Sequence, residues 1–293
     1  MESVLRQTSG IKPGNRLDIL KVLLTIGIVC RHATMTGLAG ATPVFKGVTQ
    51  GLIWITEICV PLFYALSGYL YFHNAPRSFD FTWFGKKYKS RLFSLVIPYL
   101  IANIVAWCCF VFAIKFVPSM IDGFMGDNWK DPFFVFWKGP VNLSLWFIRE
   151  LIIVVILSPL VWLLVRYTRW FGVLVLGILW GCKIGPAPLF FFSLGAYFAM
   201  WKIGAVEEWL HTPAKRVTTR SRAWNYFIYL YHYLLLIGVK KGLCKLIEPS
   251  GTFSQLGIYF GSILIVLVAL TLLYMAMRRI MPRLTSFIVG GKA

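Results

Sequence analysis

The chain has 293 residues, 58% of them hydrophobic and 17% aromatic, with a mean hydropathy of +0.71. That leaves too little polar surface to cover a soluble globule, so composition alone reads as an integral membrane protein. A net charge of +19 invites a nucleic-acid reading, but the Lys and Arg residues gather in alternate loops, which is a topological pattern.

Apolar runs suited to crossing about 30 Å of hydrocarbon lie at 17–37, 50–72, 92–117, 143–166, 188–202, 223–243 and 256–277, with a shorter one at 169–182. They predict an all-α polytopic bundle of about eight spans, since lipid admits only helices or closed barrels and these runs are too long for barrel strands. The whole of 1–293 reads as a single transmembrane domain. Its longest non-spanning segments, 118–142 and 202–222, are too short to bury a core. Met1 to Asn15 is polar and no small-residue cleavage site is found after it, so the first run is expected to stay as an anchor. Placing Arg6, Lys12 and Arg16 in the cytoplasm puts Arg77 to Arg91, Arg166 to Arg169, Lys202 to Arg222 and Arg278 to Lys292 there too. Both termini are therefore expected in the cytoplasm, and the protein in an inner or plasma membrane. Such a basic surface attracts anionic headgroups, or a phosphate-bearing donor such as a coenzyme A thioester. In the outer loop Trp129, Phe133, Phe134, Phe136 and Trp137 suit either an interfacial belt or a stacking surface for sugars.

Lys21 and His32 are ionisable residues inside the first apolar run. Eleven helical steps return to within roughly 20° of the starting face, about 16 Å further along, so both side chains point the same way. Exposure of either to lipid costs several kcal/mol, and a polar cavity between helices is the better home. Counting along the spans puts His32, Glu57, Arg149 and Glu150 in one outer layer, with Lys21 nearer the inner surface. An imidazole at this place can take a proton from a hydroxyl, with Glu57 or Glu150 orienting the ring, and Arg149 or Arg31 can stabilise an oxyanion. The alternative is that Glu57, Arg149 and Glu150 are buried ion pairs, that His32 is structural, and that Arg31 snorkels to the interface. His232, among tyrosines in a later run, suits packing or substrate positioning and counts as deeper than His32. The six cysteines have no metal-ligand spacing, so no metal is expected. There is no Gly-rich phosphate loop, G-x-S-x-G or H-E-x-x-H.

Six stretches come in a recognisable order: Arg16-Leu-Asp18-Ile-Leu-Lys21 with His32 eleven residues on; Val60 to Leu70, containing Ser67-Gly68-Tyr69-Leu70; Arg91 through Ile97-Pro98-Tyr99-Leu100; Leu145-Trp146-Phe147-Ile148; Phe190 to Tyr197, containing Ser193-Leu-Gly195; and Ile228-Tyr229-Leu230-Tyr231-His232. Together they resemble the family 3 membrane acyltransferases, which include O-antigen and other glycan O-acetylases. The resemblance implies an O-acyltransferase of groups other than amino-acyl. It would move an acyl group, most often acetyl, from cytoplasmic acyl-CoA to a hydroxyl of an extracytoplasmic or lipid-linked glycan, with no permanently bound cofactor. His32 would be catalytic, and Lys21 would replace the usual arginine, keeping its charge but losing the bidentate fork. The expected set is therefore His32, Lys21, Glu57 and Glu150 as catalytic residues, with Arg91, Ser67, Trp146, Arg149, Tyr229 and His232 binding substrate. The expected partners are acyl-CoA, a glycan or lipid-linked saccharide, and the bilayer, with no nucleic acid.

One departure from the family stands out: about ten spans are usual, and the interval Met200 to Ala223 is too short for the two further helices normally found there. Loss of two helices together preserves the sidedness of the later spans. Competing readings are a glycan or lipid transporter or flippase, although no internal repeat is evident, a catalytically impaired scaffold, and a haem or quinone protein resting on His32 and His232 alone.

Overall fold

Each apolar run is mainly helical where the computed structural model describes it, that is, over residues 13–35, 38, 40–116, 140–201, 204–218 and 220–291. The aromatics Trp129 to Trp137, expected in an outer loop, and Arg6 and Lys12 lie outside the described residues. In chain order the helices are α1 (Arg16–Ala33), α2 (Pro43–Glu57), α3 (Cys59–Phe72), α4 (Phe81–Arg91), α5 (Ile97–Phe116), α6 (Trp146–Ile156), α7 (Ser158–Thr168), α8 (Trp170–Gly181), α9 (Ala187–Met200), α10 (Gly204–His211), α11 (Arg220–Leu246), α12 (Thr252–Ile280) and α13 (Pro282–Ile288). A π turn, Leu92–Val96, joins α4 to α5, and a 3₁₀ turn, Leu143–Leu145, leads into α6.

Among the described residues, four stretches are long and apolar enough to cross a membrane, namely Pro43–Phe72, Phe81–Phe112, Ser221–Leu246 and Thr252–Ile280. Helices α6 and α7 make a fifth only as a pair bent by 62°. The bend has a local cause: Pro159, second in α7, has no N–H to continue the ladder. At about 1.5 Å per residue the 12-residue α8 and 14-residue α9 reach only roughly 18 and 21 Å, short of a full crossing. Helix α1, with 18 residues, reaches about 27 Å and carries Asp18, Lys21 and Arg31 along the way. Large apolar side chains such as Trp54, Ile55, Phe112, Leu264 and Leu272 face outward, as a lipid solvent requires.

Two short strands add to the all-α plan. β1 (Pro13–Asn15) pairs antiparallel with β2 (Pro213–Thr218), Pro13 opposite Thr218 and Asn15 opposite Pro213. The interval between α9 and α11 is thus α10 and then a strand, and the ribbon ties it to the start of α1, where Arg16 N donates to Thr212 O at 3.1 Å.

Two contacts set the packing around the site. Helices α3 and α9 approach until backbone meets backbone: a Cβ on Gly68 would lie 2.0 Å from Phe192 O, and one on Gly195 would lie 1.8 Å from Ala65 O. Small residues permit this closeness, and in lipid such packing replaces the missing hydrophobic drive. Helices α1 and α11 run parallel in a fixed register. Arg222 meets Asp18 and Asn225 meets the Lys21 carbonyl, each pair 204 residues apart in sequence. One core surrounds α3, α6 and α9, and a second joins the far half of α1 to α11 and α12.

Candidate active site

A cavity of about 410 Å³ opens between α1, α3, α6, α11 and the π turn, on the Lys21 side of the bundle. Its charged lining is Asp18 and Lys21 from α1, Arg91 at the end of α4, and Arg222 at the start of α11. Asp18 is buried and its two oxygens accept from Arg222 Nε at 2.7 Å and from a terminal guanidinium nitrogen at 2.9 Å. This bidentate pair takes up the cavity's carboxylate. Among the described residues no ion pair neutralises Lys21 or Arg91. Three cations against one carboxylate leave the enclosed wall with a surplus of positive charge, a standing attraction for an anion.

The walls around these charges are aromatic. Lys87 Nζ lies 5.0 Å above Trp83 and 5.5 Å above Tyr71, and the Arg91 guanidinium lies 5.7 Å above Tyr71. Tyr71 is held from behind, its hydroxyl accepting from Ser158 Oγ at 2.9 Å beside the α6–α7 break. A π turn, which shifts the phase of the residues around it, carries Ser94 and Leu95 into the same wall. Further in, the lining becomes Phe63, Phe147, Ile148, Leu151 and Tyr229. The Tyr229 hydroxyl donates to Ser144 O at 2.9 Å. Ser144 belongs to a buried polar cluster in which Asn142 Oδ1 accepts from Ser144 Oγ at 2.8 Å and Asn142 Nδ2 donates to Leu230 O at 2.9 Å. That cluster fixes the depth at which α11 presents its tyrosines.

His32 lies beyond this inner wall and does not line the cavity. Its ring centroid is 5.4 Å from that of His232 and 5.2 Å from that of Tyr233. The fixed register explains the meeting: opposite His32 on α11 lies residue 236, with His232 one turn before it and Lys240 one turn after. Side chains on a helix tilt toward its N-terminus, so the His32 ring leans back toward His232, while the His32 carbonyl points forward. Lys240 Nζ accordingly donates to His32 O at 3.1 Å and to Thr34 O at 3.2 Å, caps for carbonyls that the end of α1 leaves without partners. His232 is fully buried. Its Nδ1 lies 2.9 Å from Tyr229 O and 3.3 Å from Ile228 O, which makes Nδ1–H the donor and leaves Nε2 as the lone-pair nitrogen. Nε2 has no partner among the described residues. Tyr229, 6.0 Å from His232 ring to ring, touches both the cavity and the histidine pair.

The expected site residues thus divide into three groups. Lys21, Arg91, Ser67 and Tyr229 line the cavity together. His32 and His232 form a second centre behind Tyr229; depth counting put His232 deeper, and it sits one turn before the α11 position opposite His32, with the two ring centroids 5.4 Å apart. Glu57, Glu150, Arg149 and Trp146 join neither. The Glu57 side chain is 69% exposed and lies 4.0 Å from Arg31, the guanidinium expected at the interface. Arg149 and Glu150 bond each other at 2.8 Å, and Trp146 is partly exposed at the start of α6. The groups against the His32 ring are aromatic, so the expected carboxylate orientation of His32 has no counterpart among the described residues. Sequence reading missed Asp18, Thr25, Tyr71, Asn225 and Arg222 as members of the cavity, and Lys240 as the cap of His32.

Comparison with known proteins agrees with this arrangement. A family model for acyltransferase family 3, described as an acyltransferase domain, matches residues 15–217. The chain is also similar to the succinoglycan biosynthesis protein ExoH of Rhizobium meliloti (strain 1021), with 31% identity over 212 residues, 63% of this chain and 54% of that protein. The chain thus spans about half the length of this curated relative. No solved structure matches it. The matched region contains α1 through α10 with the Lys21–His32 helix at its start, and the chain belongs to the acyltransferase 3 family.

Proposed function

We propose that the protein is a membrane O-acyltransferase that takes an acyl group, acetyl in the simplest case, from acyl-CoA in the Lys21-side cavity and delivers it to a glycan hydroxyl at His32. The observation that carries this reading is the net positive wall formed by Lys21, Arg91 and the Asp18-paired Arg222, a surface suited to the phosphates of a coenzyme. The aromatic inner end suits the thioester arm, and its Tyr229 lies 6.0 Å from the His232 ring, bringing that end up to the histidine pair. The name of the R. meliloti relative supports a polysaccharide or its lipid-linked precursor as acceptor. By the charge of the loops, the cavity faces the cytoplasm of an inner or plasma membrane and His32 lies toward the outer side.

In the transfer, His32 removes the proton of the acceptor hydroxyl as its oxygen attacks the thioester carbonyl. The C–O bond of the new ester forms, the C–S bond breaks, and the coenzyme thiolate takes the proton back from the imidazolium. Lys240 holds the His32 backbone, and His232 packs against the ring from the neighbouring turn. The test uses the purified chain in lipid, measuring acetyl-CoA binding and transfer for the parent, His32→Ala and Lys21→Ala. The reading expects His32→Ala to bind donor but not turn over, and Lys21→Ala to bind donor at least tenfold more weakly, the loss of one charge-assisted contact. Donor binding unchanged by Lys21→Ala, or turnover surviving His32→Ala, overturns it.

A further inference from the structure

Midway along the cavity wall, Thr25 and Asn225 each present a buried polar atom, Thr25 Oγ1 and Asn225 Oδ1, with no hydrogen-bond partner among the described residues. Thr25 is 2% exposed and Asn225 8%. Other helical threonines in this chain turn their hydroxyl back onto the carbonyl four residues earlier. Thr49 donates to Phe45 O at 2.8 Å, Thr56 to Leu52 O at 2.7 Å and Thr271 to Leu267 O at 2.6 Å. For Thr25 that acceptor is Lys21 O, which instead receives Asn225 Nδ2 at 3.3 Å. One bond therefore does two things: it leaves the Thr25 hydroxyl available, and it orients the Asn225 amide so that the carbonyl end is the one left over. Buried polar atoms are rarely left this way, and two of them on one cavity wall mark a place where something else completes the pairing.

Their chemistry restricts what that is. Asn225 Oδ1 can only accept, while the Thr25 hydroxyl can donate, so together they complement a group carrying one N–H and one C=O. We propose that Thr25 and Asn225 form a subsite for a secondary amide of the donor's arm, its N–H donating to Asn225 Oδ1 and its carbonyl accepting from Thr25 Oγ1. The subsite lies between the cationic wall and the aromatic inner end, as it must for a molecule with an anionic head, an amide-bearing chain and an acyl tip. It rests on the reading of the cavity as an acyl-CoA site and names the part of the donor these two residues recognise. A merely anionic ligand accepts from the Thr25 hydroxyl but leaves Asn225 Oδ1 without a donor.

The test compares three probes on the protein in lipid: acetyl-CoA, an analogue with esters in place of the arm amides, and the nucleotide bisphosphate fragment that has no arm. An ester keeps the carbonyl and loses the N–H. The parent is expected to bind acetyl-CoA about tenfold tighter than the ester analogue, the effect of one hydrogen bond. Thr25→Val and Asn225→Ala are expected to lower acetyl-CoA affinity about tenfold each, with Asn225→Ala also erasing the preference for amide over ester. Thr25→Val should leave binding of the nucleotide fragment unchanged. Equal binding of amide and ester by the parent overturns the subsite even if the variants fail to fold, and it leaves the donor reading intact. A parent that binds neither acetyl-CoA nor the fragment overturns the donor reading, and the subsite with it.

Discussion

Gly195→Ala puts one methyl group where the structure has no room. The added Cβ lies 1.8 Å from Ala65 O, 2.7 Å from Ala65 C and 2.8 Å from Tyr69 N. All three are backbone atoms of α3, so no side-chain rotation relieves the clash, and α3 and α9 must move apart by about 1.5 Å to reach ordinary contact. Overpacking costs typically 1–3 kcal/mol, and a gap of about 1 Å also forfeits up to half the dispersion energy of the contacts it opens. The Gly68 crossing one turn away opens with it. The expected loss is about 3 kcal/mol, roughly a hundredfold in the folding equilibrium. Because Ser67, Leu70, Tyr71 and Phe192 on these two helices line the cavity, donor affinity falls as well. Gly47 and Gly51 on α2 supply the control, since a Cβ at either meets nothing within 4 Å. There the same substitution removes only glycine's backbone freedom and is expected to stabilise by about 0.5–1 kcal/mol. The assay is denaturant-induced unfolding of each variant in the same lipid or detergent, with acetyl-CoA binding measured in parallel. Gly195→Ala as stable as Gly47→Ala would refute the claim that backbone contact joins α3 to α9.

Lys240→Met removes the ammonium from the carbonyls of His32 and Thr34 at a cost of about 1–3 kcal/mol, and is expected to lower turnover more than donor affinity. Lys240→Arg should restore part of the turnover; equal loss of both, with no rescue, refutes a positioning role. Gly290 and Gly291 both have positive φ, +69° and +73°, but a Cβ on Gly290 lies 2.7 Å from Ser94 Cα while one on Gly291 meets nothing within 4 Å. Gly290→Ala should therefore weaken donor binding by displacing the π turn, whereas Gly291→Ala carries only the backbone strain of roughly 1 kcal/mol and leaves binding unchanged. Asp80 caps α4, its Oδ1 accepting from Thr82 N at 2.7 Å and Trp83 N at 3.2 Å, and the bond from the Thr82 hydroxyl, helped by these two, holds its carboxyl below the ordinary value of 3.8. A depressed pKa means stability present above the unfolded value and lost as pH falls through the folded one. Unfolding titrations of the parent and Asp80→Asn should therefore converge only below about pH 4.

The helical class was legible because its signal is redundant: most apolar runs are long, and charged loops separate them. The exceptions have local causes that hydropathy does not register, such as the Pro159 break that divides one run into α6 and α7 and the pairing of Pro13–Asn15 with Pro213–Thr218. Lys21 and His32 were legible as a pair because ionisable residues in an apolar run are conspicuous. Their separation into two centres was not, since a shared helix face places two residues in line without saying that a cavity reaches both, and here it reaches Lys21 but not His32. Glu57 illustrates the opposite error. Equal depth put it beside His32, but depth is one coordinate, and rotation of α2 turns its carboxylate outward to Arg31.

The parallel register of α1 and α11 accounts for most of the site at once. Opposed charges meet at its start, where Asp18 holds Arg222, and one turn on Asn225 takes the Lys21 carbonyl. These two contacts fix both translation and rotation of α11 against α1. Eleven residues further along α1, the same register brings His232 and Lys240 to either side of His32, where the Lys240 ammonium adds a further tie to the His32 carbonyl. Asp18 and Arg222 therefore act on His32 from about 20 Å away, through a helix pair too stiff to absorb a slip. Since β1 and β2 bracket the Asp18 end, the short interval between α9 and α11 also bears on this register, by tying the entry of α11 to the entry of α1. An interval that lacks spanning helices can still specify where the histidines meet.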